Sequence, residues 1–98
     1  PNATVNARAV IADGAILNSN CVIEHDAEVG RFAHVAPQSV LGGGAAIGEF
    51  TLLGSGAVVL PGKQVPNNCV IGAGAVWTGA CSKQGTYVGV PAKRIETL

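Results

Sequence analysis

The groups able to do chemistry in this chain are few and gather around one histidine. His25 stands in the run Ile23-Glu24-His25-Asp26, and the residues at intervals of 18 from it are Ala7, Gly43 and Pro61. Histidine changes charge nearest to neutral pH of all side chains, which suits it to work as a general base. Its small neighbours leave a niche through which a ligand can reach the ring. Gly43 has no side chain to block that niche and offers a backbone N–H beside it. A base with an amide donor is the minimal equipment for acyl transfer. The base takes the proton of the attacking nucleophile, and the amide steadies the charge that develops on the carbonyl oxygen. An exposed histidine is equally at home as a solvated surface residue, so the reading depends on the scaffold that sets the spacing.

That scaffold is written in a period of six. An aliphatic residue recurs without a slip at Val5, Ile11, Leu17, Ile23, Val29, Val35, Leu41, Ile47, Leu53, Val59, Val65 and Ile71. Four residues after each stands a small side chain, from Ala9, Ala15 and Cys21 to Cys69 and Ala75, with Lys63 as the departure. A helix repeats its apolar face at three and four, so six marks a repeat of structure. Three six-residue faces per coil form a triangular prism with the aliphatic and the small residue both inward: an all-β chain, folded as a parallel β-helix. The residue three after the aliphatic is Gly14, Asn20, Asp26, Gly44, Gly56, Gly62, Asn68 or Gly74 in eight of twelve units. These residues tolerate the left-handed backbone of a tight corner. Twelve hexapeptides make four coils, and the pattern alone leaves the hand open, with right-handed crossovers the general rule.

Composition fits one small domain of this kind. Of 98 residues 48% are hydrophobic and 14 are glycine, with only two Phe, one Tyr and one Trp, as expected of a prism too narrow for rings. A formal charge of zero argues against a nucleic-acid or acidic-membrane surface. The sequence holds no long apolar span and no signal peptide, so a cytoplasmic location without membrane insertion is expected. Cys21 and Cys69 are inward packing residues more than two coils apart, too far for a disulfide, and Cys81 falls beyond the regular register. That register is expected to falter at Trp77, giving a β-helix over 1–78 and a loop and tail over 79–98 that caps the prism. Lys93 and Arg94 lie in that tail, placed either to cap the open end or to meet a phosphate.

The outward columns predict an assembly. Thr4, Val22, Val40, Val58 and Val76 line the first face and Ile16, His34, Leu52 and Val70 the third, whereas the second carries Val10, Glu28, Ala46 and Gln64. Two apolar faces meeting at one edge point to a homotrimer, since contiguous stripes of this kind are seldom left exposed.

Several ordered motifs then carry a resemblance that spans almost the whole chain: Ile23-Glu24-His25-Asp26, Phe32-Ala33-His34-Val35-Ala36-Pro37, the run Gly42 to Gly44, Val59-Leu60-Pro61-Gly62, and Tyr87-Val88-Gly89-Val90-Pro91-Ala92-Lys93-Arg94. Together they resemble the hexapeptide-repeat sugar O-/N-acyltransferases of the sialic-acid and bacillosamine type, most of all the UDP-4-amino-sugar N-acetyltransferases. The resemblance implies a left-handed β-helix and an acetyl-CoA-dependent acetyltransferase acting on an amino group of a nucleotide-linked amino sugar, without a metal. It implies His25 as general base, Asp26 as the acid that orients it, and Gly43 as the oxyanion contact. It also implies contacts to acetyl-CoA from His34, Ser55 and Ala73, along an edge between subunits.

The family also carries an N-terminal mononucleotide-binding domain, whereas this chain starts at Pro1 and holds no Gly-rich strand–turn–helix. It is therefore expected to be either the β-helix portion of a longer enzyme or a shorter relative with another acceptor. Sugar O-acetylation of the sialic-acid type is the alternative within the family. A γ-type carbonic anhydrase shares the prism but needs three histidines on zinc, and this chain has only His25 and His34. A non-catalytic β-helix presenting a regular array would repeat one polar side chain outward, and no column here does.

Overall fold

The corner of each hexapeptide sets the path of the chain. In a computed structural model, which describes residues 2–79 and 83–95, the residue three after each inward aliphatic is left-handed throughout, from Arg8 (φ 60°) and Gly14 (φ 73°) to Gly74 (φ 70°). Gly, Asn and Asp fill eight of these corners because the conformation strains them least. Arg8, Phe32, Gln38 and Phe50 adopt it as well, with φ between 56° and 62°, so the fold imposes the turn even where the residue gains nothing from it. Most corners are tight turns closed by a bond between their first and fourth residues, as from Ala27 N–H to Glu24 O at 3.2 Å and from Ala45 N–H to Gly42 O at 2.9 Å, whereas Cys69 N–H donates instead to Thr51 Oγ1 at 3.2 Å.

Two-residue strands between the corners stack into three sheets, which bears out the three-faced, all-β reading. The first face contains β1 (Thr4–Val5), β4 (Val22–Ile23), β7 (Val40–Leu41), β10 (Val58–Val59) and β13 (Val76–Trp77). The second contains β2 (Val10–Ile11), β5 (Glu28–Val29), β8 (Ala46–Ile47) and β11 (Gln64–Val65). The third contains β3 (Ile16–Leu17), β6 (His34–Val35), β9 (Leu52–Leu53), β12 (Val70–Ile71), β14 (Thr86–Val88) and β15 (Lys93–Ile95). Parallel neighbours pair with a shift of one coil, Val22 with Val40 and Val40 with Val58. Among the described residues no helix is long and apolar enough to cross a membrane.

Inside the prism the aliphatic and small residues of successive coils form one buried column, in which Ile23, Val35, Leu41, Leu53, Val59 and Ile71 are wholly inaccessible. At about 1.5–3 kcal/mol for each fully buried aliphatic side chain, this column is the main source of stability. The two inward hydroxyls are both satisfied: Ser39 Oγ donates to Ala36 O within its own turn at 2.6 Å, and Thr51 Oγ1 to Pro66 O in the turn one coil above at 2.7 Å. Cys21 and Cys69 are buried at their inward positions, and Cys81 lies outside the described residues.

The C-terminal end differs from the expectation of a faltering register. Trp77 takes the inward position six after Ile71, pairs with Val59 in the first sheet and is buried. Rings are therefore accommodated where the column ends: the indole meets Tyr87 edge to face at 4.6 Å between centroids, its Nε1–H donates to Gln64 O at 2.9 Å, and Tyr87 Oη donates to Lys83 O at 2.6 Å. Lys63, which breaks the small-residue series one level below, turns out to solvent with its stem near Gly79. Beyond that point β14 continues the third face at a spacing of sixteen, with Val70 against Thr86 and Ile71 against Tyr87, and β15 folds back antiparallel to it. Arg94 there donates from Nε to Gln84 O at 3.0 Å.

Because the Trp77–Tyr87 pair closes the column, Trp77→Ala is expected to lower unfolding stability by about 3–5 kcal/mol, the range for emptying a buried aromatic site. Chemical denaturation followed by circular dichroism measures this, and a loss under about 1 kcal/mol would show that the end of the column repacks without the ring.

Candidate functional site

The corner between the first and second faces holds the residues able to do chemistry. His25 is the second residue of the turn from Glu24 to Ala27, a position whose side chain leaves the prism, and Asp26 is the third, left-handed at φ 60°. The imidazole and the carboxylate turn toward one another, with His25 Nδ1 at 3.1 Å from Asp26 Oδ2. One coil below, Arg8 occupies the equivalent corner and grips the same carboxylate, donating from Nε to Oδ1 at 2.7 Å and from Nη2 to Oδ2 at 3.1 Å. The Arg8 guanidinium foremost, and then His25, hold the Asp26 carboxyl at about 2, below its ordinary value of 3.8. An ionised carboxylate can only accept, so Nδ1 carries the proton in this bond and Nε2 of the neutral ring keeps its lone pair.

One coil above, Gly43 fills the corner position equivalent to His25 and lies against its ring. A Cβ built at Gly43 would come within 2.6 Å of His25 Nε2 and 2.8 Å of Cε1, so any side chain here would displace the imidazole. The amides of this corner are divided between two tasks. Gly44 N–H donates to His25 O at 2.9 Å and the Gly43 carbonyl accepts from Gly62 N–H at 2.8 Å, which tie the coils together. The Gly43 N–H has no acceptor among the described residues. A bare imidazole nitrogen and an unused amide thus share one exposed corner, the arrangement that acyl transfer requires.

His25, Asp26 and Gly43 are therefore brought together, and the other three expected site residues are not beside them. Ser55 and Ala73 occupy the corner between the third and first faces, one above the other, joined by the bond from Gly74 N–H to Ser55 O at 2.9 Å. Both are exposed. His34 projects from the third face between Ile16 and Leu52, half-buried, with its Nε2 at 2.9 Å from Asn18 Nδ2. Within one chain the first face separates these residues from His25. The sequence reading missed Arg8 and Asn18. Arg8 was legible in principle, since the 18-residue column that contains Asp26 places an opposite charge directly below it.

The outward columns that predict an assembly are apolar in the structure as well. Val22, Val40, Val58 and Val76 are half-buried on the first face, while Ile16 and Val70 on the third are exposed by 54% and 40%.

Comparison with known proteins follows this geometry. Residues 8–43 match the family described as bacterial transferase hexapeptide (six repeats), a stretch that contains Arg8, His25, Asp26 and Gly43. The chain is 33% identical over 81 residues, 83% of its length, to the UDP-3-O-acylglucosamine N-acyltransferase of Delftia acidovorans, of which it covers 24%. Among solved structures it is similar to a variant of the GDP-perosamine N-acetyl transferase of Caulobacter crescentus in complex with CoA and GDP-perosamine. There the identity is 30% and the TM-score 0.87, over 99% of this chain and 55% of that one. It is also similar to the acetyltransferase domain of PglB from Neisseria gonorrhoeae in complex with acetyl coenzyme A, with 28% identity and a TM-score of 0.84 over 97% of this chain and 55% of that one. The chain thus spans about a quarter of the curated relative (24%) and about half of these two structures (55% each).

The Asp26 carboxyl is expected to titrate at about 2 rather than at its ordinary 3.8. Because the folded value is the lower one, the stabilisation from this group is fully present above 3.8 and fades as the pH falls through about 2. The pair is exposed, so the change in unfolding free energy is small and the carboxyl resonance in carbon-detected NMR is the sensitive readout. A midpoint at the ordinary value would show that Arg8 does not hold Asp26 in solution.

Proposed function

We propose that this chain, whose residues 8–43 match the hexapeptide-repeat transferases, is an acetyl-CoA-dependent acetyltransferase that modifies an amino group on a nucleotide-linked amino sugar. The observation that carries this reading is the corner at which His25, bonded through Nδ1 to Asp26, turns its other ring edge over the bare Cα of Gly43. The CoA and nucleotide-sugar complexes of similar chains supply the substrate class.

In this reading the sugar amine attacks the thioester carbonyl and His25 Nε2 takes the proton that the nitrogen must lose. Asp26 holds the imidazolium so formed, and the Gly43 N–H faces the carbonyl oxygen as it gains charge. The carbon–sulfur bond then breaks and the thiol of CoA leaves, with the proton on His25 available to it. Asp26 is ionised under all ordinary conditions, held at about 2, which keeps Nδ1 as the donor.

His34, Ser55 and Ala73 are assigned to the acetyl-CoA side of the site. They stand on the far side of the first face from His25, so one chain does not bring both halves to a single reacting centre. A homotrimer with the apolar first faces inward would set the Ser55–Ala73 corner of one chain beside the His25 corner of the next. The valine column at Val22, Val40, Val58 and Val76 supplies the apolar contact such an assembly needs. The location assigned is the cytoplasm, where acetyl-CoA and nucleotide sugars are found together.

Two measurements test the reading. Assayed with acetyl-CoA and a UDP- or GDP-linked 4-amino sugar in the full-length protein, His25→Ala is expected to lower kcat about a hundredfold or more, the scale of a positioned acid–base group, and Asp26→Asn by less. Near-normal turnover of His25→Ala would remove His25 as the base. The assembly is read by light scattering: a trimer is expected, and Val40→Glu with Val58→Glu should dissociate it, because buried unpaired carboxylates are strongly unfavourable. A stable monomer that turns over normally would overturn the split site.

A further inference from the structure

We propose that Arg8 is a positioning residue for the His25 imidazole, acting through Asp26 from the coil below. This rests on the reading of His25 as the base and adds to it the group that selects which ring nitrogen is free. Arg8 holds both carboxylate oxygens, Oδ1 through Nε at 2.7 Å and Oδ2 through Nη2 at 3.1 Å, which leaves Oδ2 to be shared with His25 Nδ1 at 3.1 Å. Two-point contact from a planar guanidinium fixes the plane of a carboxylate as a single contact does not. Without it, the Asp26 side chain, 44% exposed on a corner, would rotate among water partners and present either oxygen, or neither, to the ring.

Two further observations bear on Arg8. The first is its backbone: like Phe32, Gln38 and Phe50 it occupies a left-handed corner, at φ 60°, where Gly, Asn or Asp fit with less strain. The side chain, not the turn, is what an arginine contributes at that point. The second is the engagement of the other acidic neighbour of His25. Asn6, in the same coil as Arg8, donates from Nδ2 to Glu24 Oε1 at 2.8 Å, so Glu24 is held along the first face while Asp26 is turned to the imidazole. Both acids flanking His25 are thus oriented from the coil below, and only the one under Arg8 reaches the ring.

The consequence is a fixed tautomer. With Asp26 Oδ2 held at Nδ1, the proton of the neutral ring stays on Nδ1 and the lone pair stays on Nε2, the edge that lies over Gly43. A ring released from this bond distributes its proton between both nitrogens, and the fraction with Nε2–H cannot accept a proton from a nucleophile there. Arg8 touches no reacting atom in this scheme.

Nitrogen NMR of histidine-labelled full-length protein above neutral pH reads the tautomer directly, and the signals that disappear in a His25→Ala spectrum are those of His25. The unsubstituted protein is expected to show a pyrrole-type Nδ1 and a pyridine-type Nε2 for His25. Arg8→Gly suits the backbone at φ 60°, so it should fold with an unchanged melting temperature while both His25 nitrogens move to intermediate shifts. Arg8→Lys, which keeps the charge without the fork, should restore part of the Nδ1–H population. Should Arg8→Gly fail to fold, Arg8→Gln gives the same comparison. A His25 tautomer that is identical with and without Arg8 overturns the proposal, as does Nε2–H in the unsubstituted protein. The spectrum requires no turnover, so loss of the base assignment through an active His25→Ala variant leaves this result readable on its own.

Discussion

A left-handed residue at every sixth position governs this molecule. It turns the chain through a prism corner, and because three corners complete a coil, each residue comes to rest on the one 18 before it. Parallel pairing then needs no long connection: strands of only two residues suffice, those within the stack being bonded to the coils on either side. The buried column follows from the same geometry, since the inward aliphatic and the inward small residue of each face fill the interior of the prism. That the corner conformation persists at Arg8, Phe32, Gln38 and Phe50 shows the stacked coils overruling local preference.

Stacking at corners also decides which side chains interact. Side chains 18 apart form a ladder, and the ladders are chemically matched. Arg8 meets Asp26, Arg31 Nε meets Glu49 Oε2 at 2.6 Å, and Phe32 stacks on Phe50 with centroids 5.4 Å apart. These contacts are exposed, so they add little to stability. What they fix is direction. In the corner with His25 the direction matters, because a carboxylate aimed at Nδ1 leaves Nε2 bare, and the glycine above it supplies both the space and an unused amide.

The separation of the two halves of the proposed site is a product of the same prism. A narrow triangular section offers no internal cleft, so the residues around a ligand as long as the proposed CoA would come from different corners or different chains. The first face, with its valine column, lies between the His25 corner and the Ser55–Ala73 corner. An apolar face flanked by two chemically equipped edges is suited to a symmetric assembly, in which the distance across one chain is replaced by contact between neighbours.

The sequence by itself determined the coil. A strict period of six in aliphatic and small residues, with Gly, Asn or Asp at most corners, admits one arrangement of faces, and the inward and outward columns were assigned correctly from it. It also showed His25, Asp26 and Gly43 as one neighbourhood, because in a solenoid adjacency is a matter of counting by 18. Where the count ends, sequence reasoning lost its footing. The packing of Trp77 on Tyr87 and the shift of β14 to a spacing of sixteen depend on how bulky rings close an open column, which no periodicity encodes. Nor does the count say which way an exposed side chain turns. That Asp26 answers to both Arg8 and His25, that Glu24 is drawn to Asn6, and that His34 bonds Asn18 were decided only when the coils stacked. A side chain's direction is the outcome of competition among neighbours in space, and those neighbours exist only once the coils are in place.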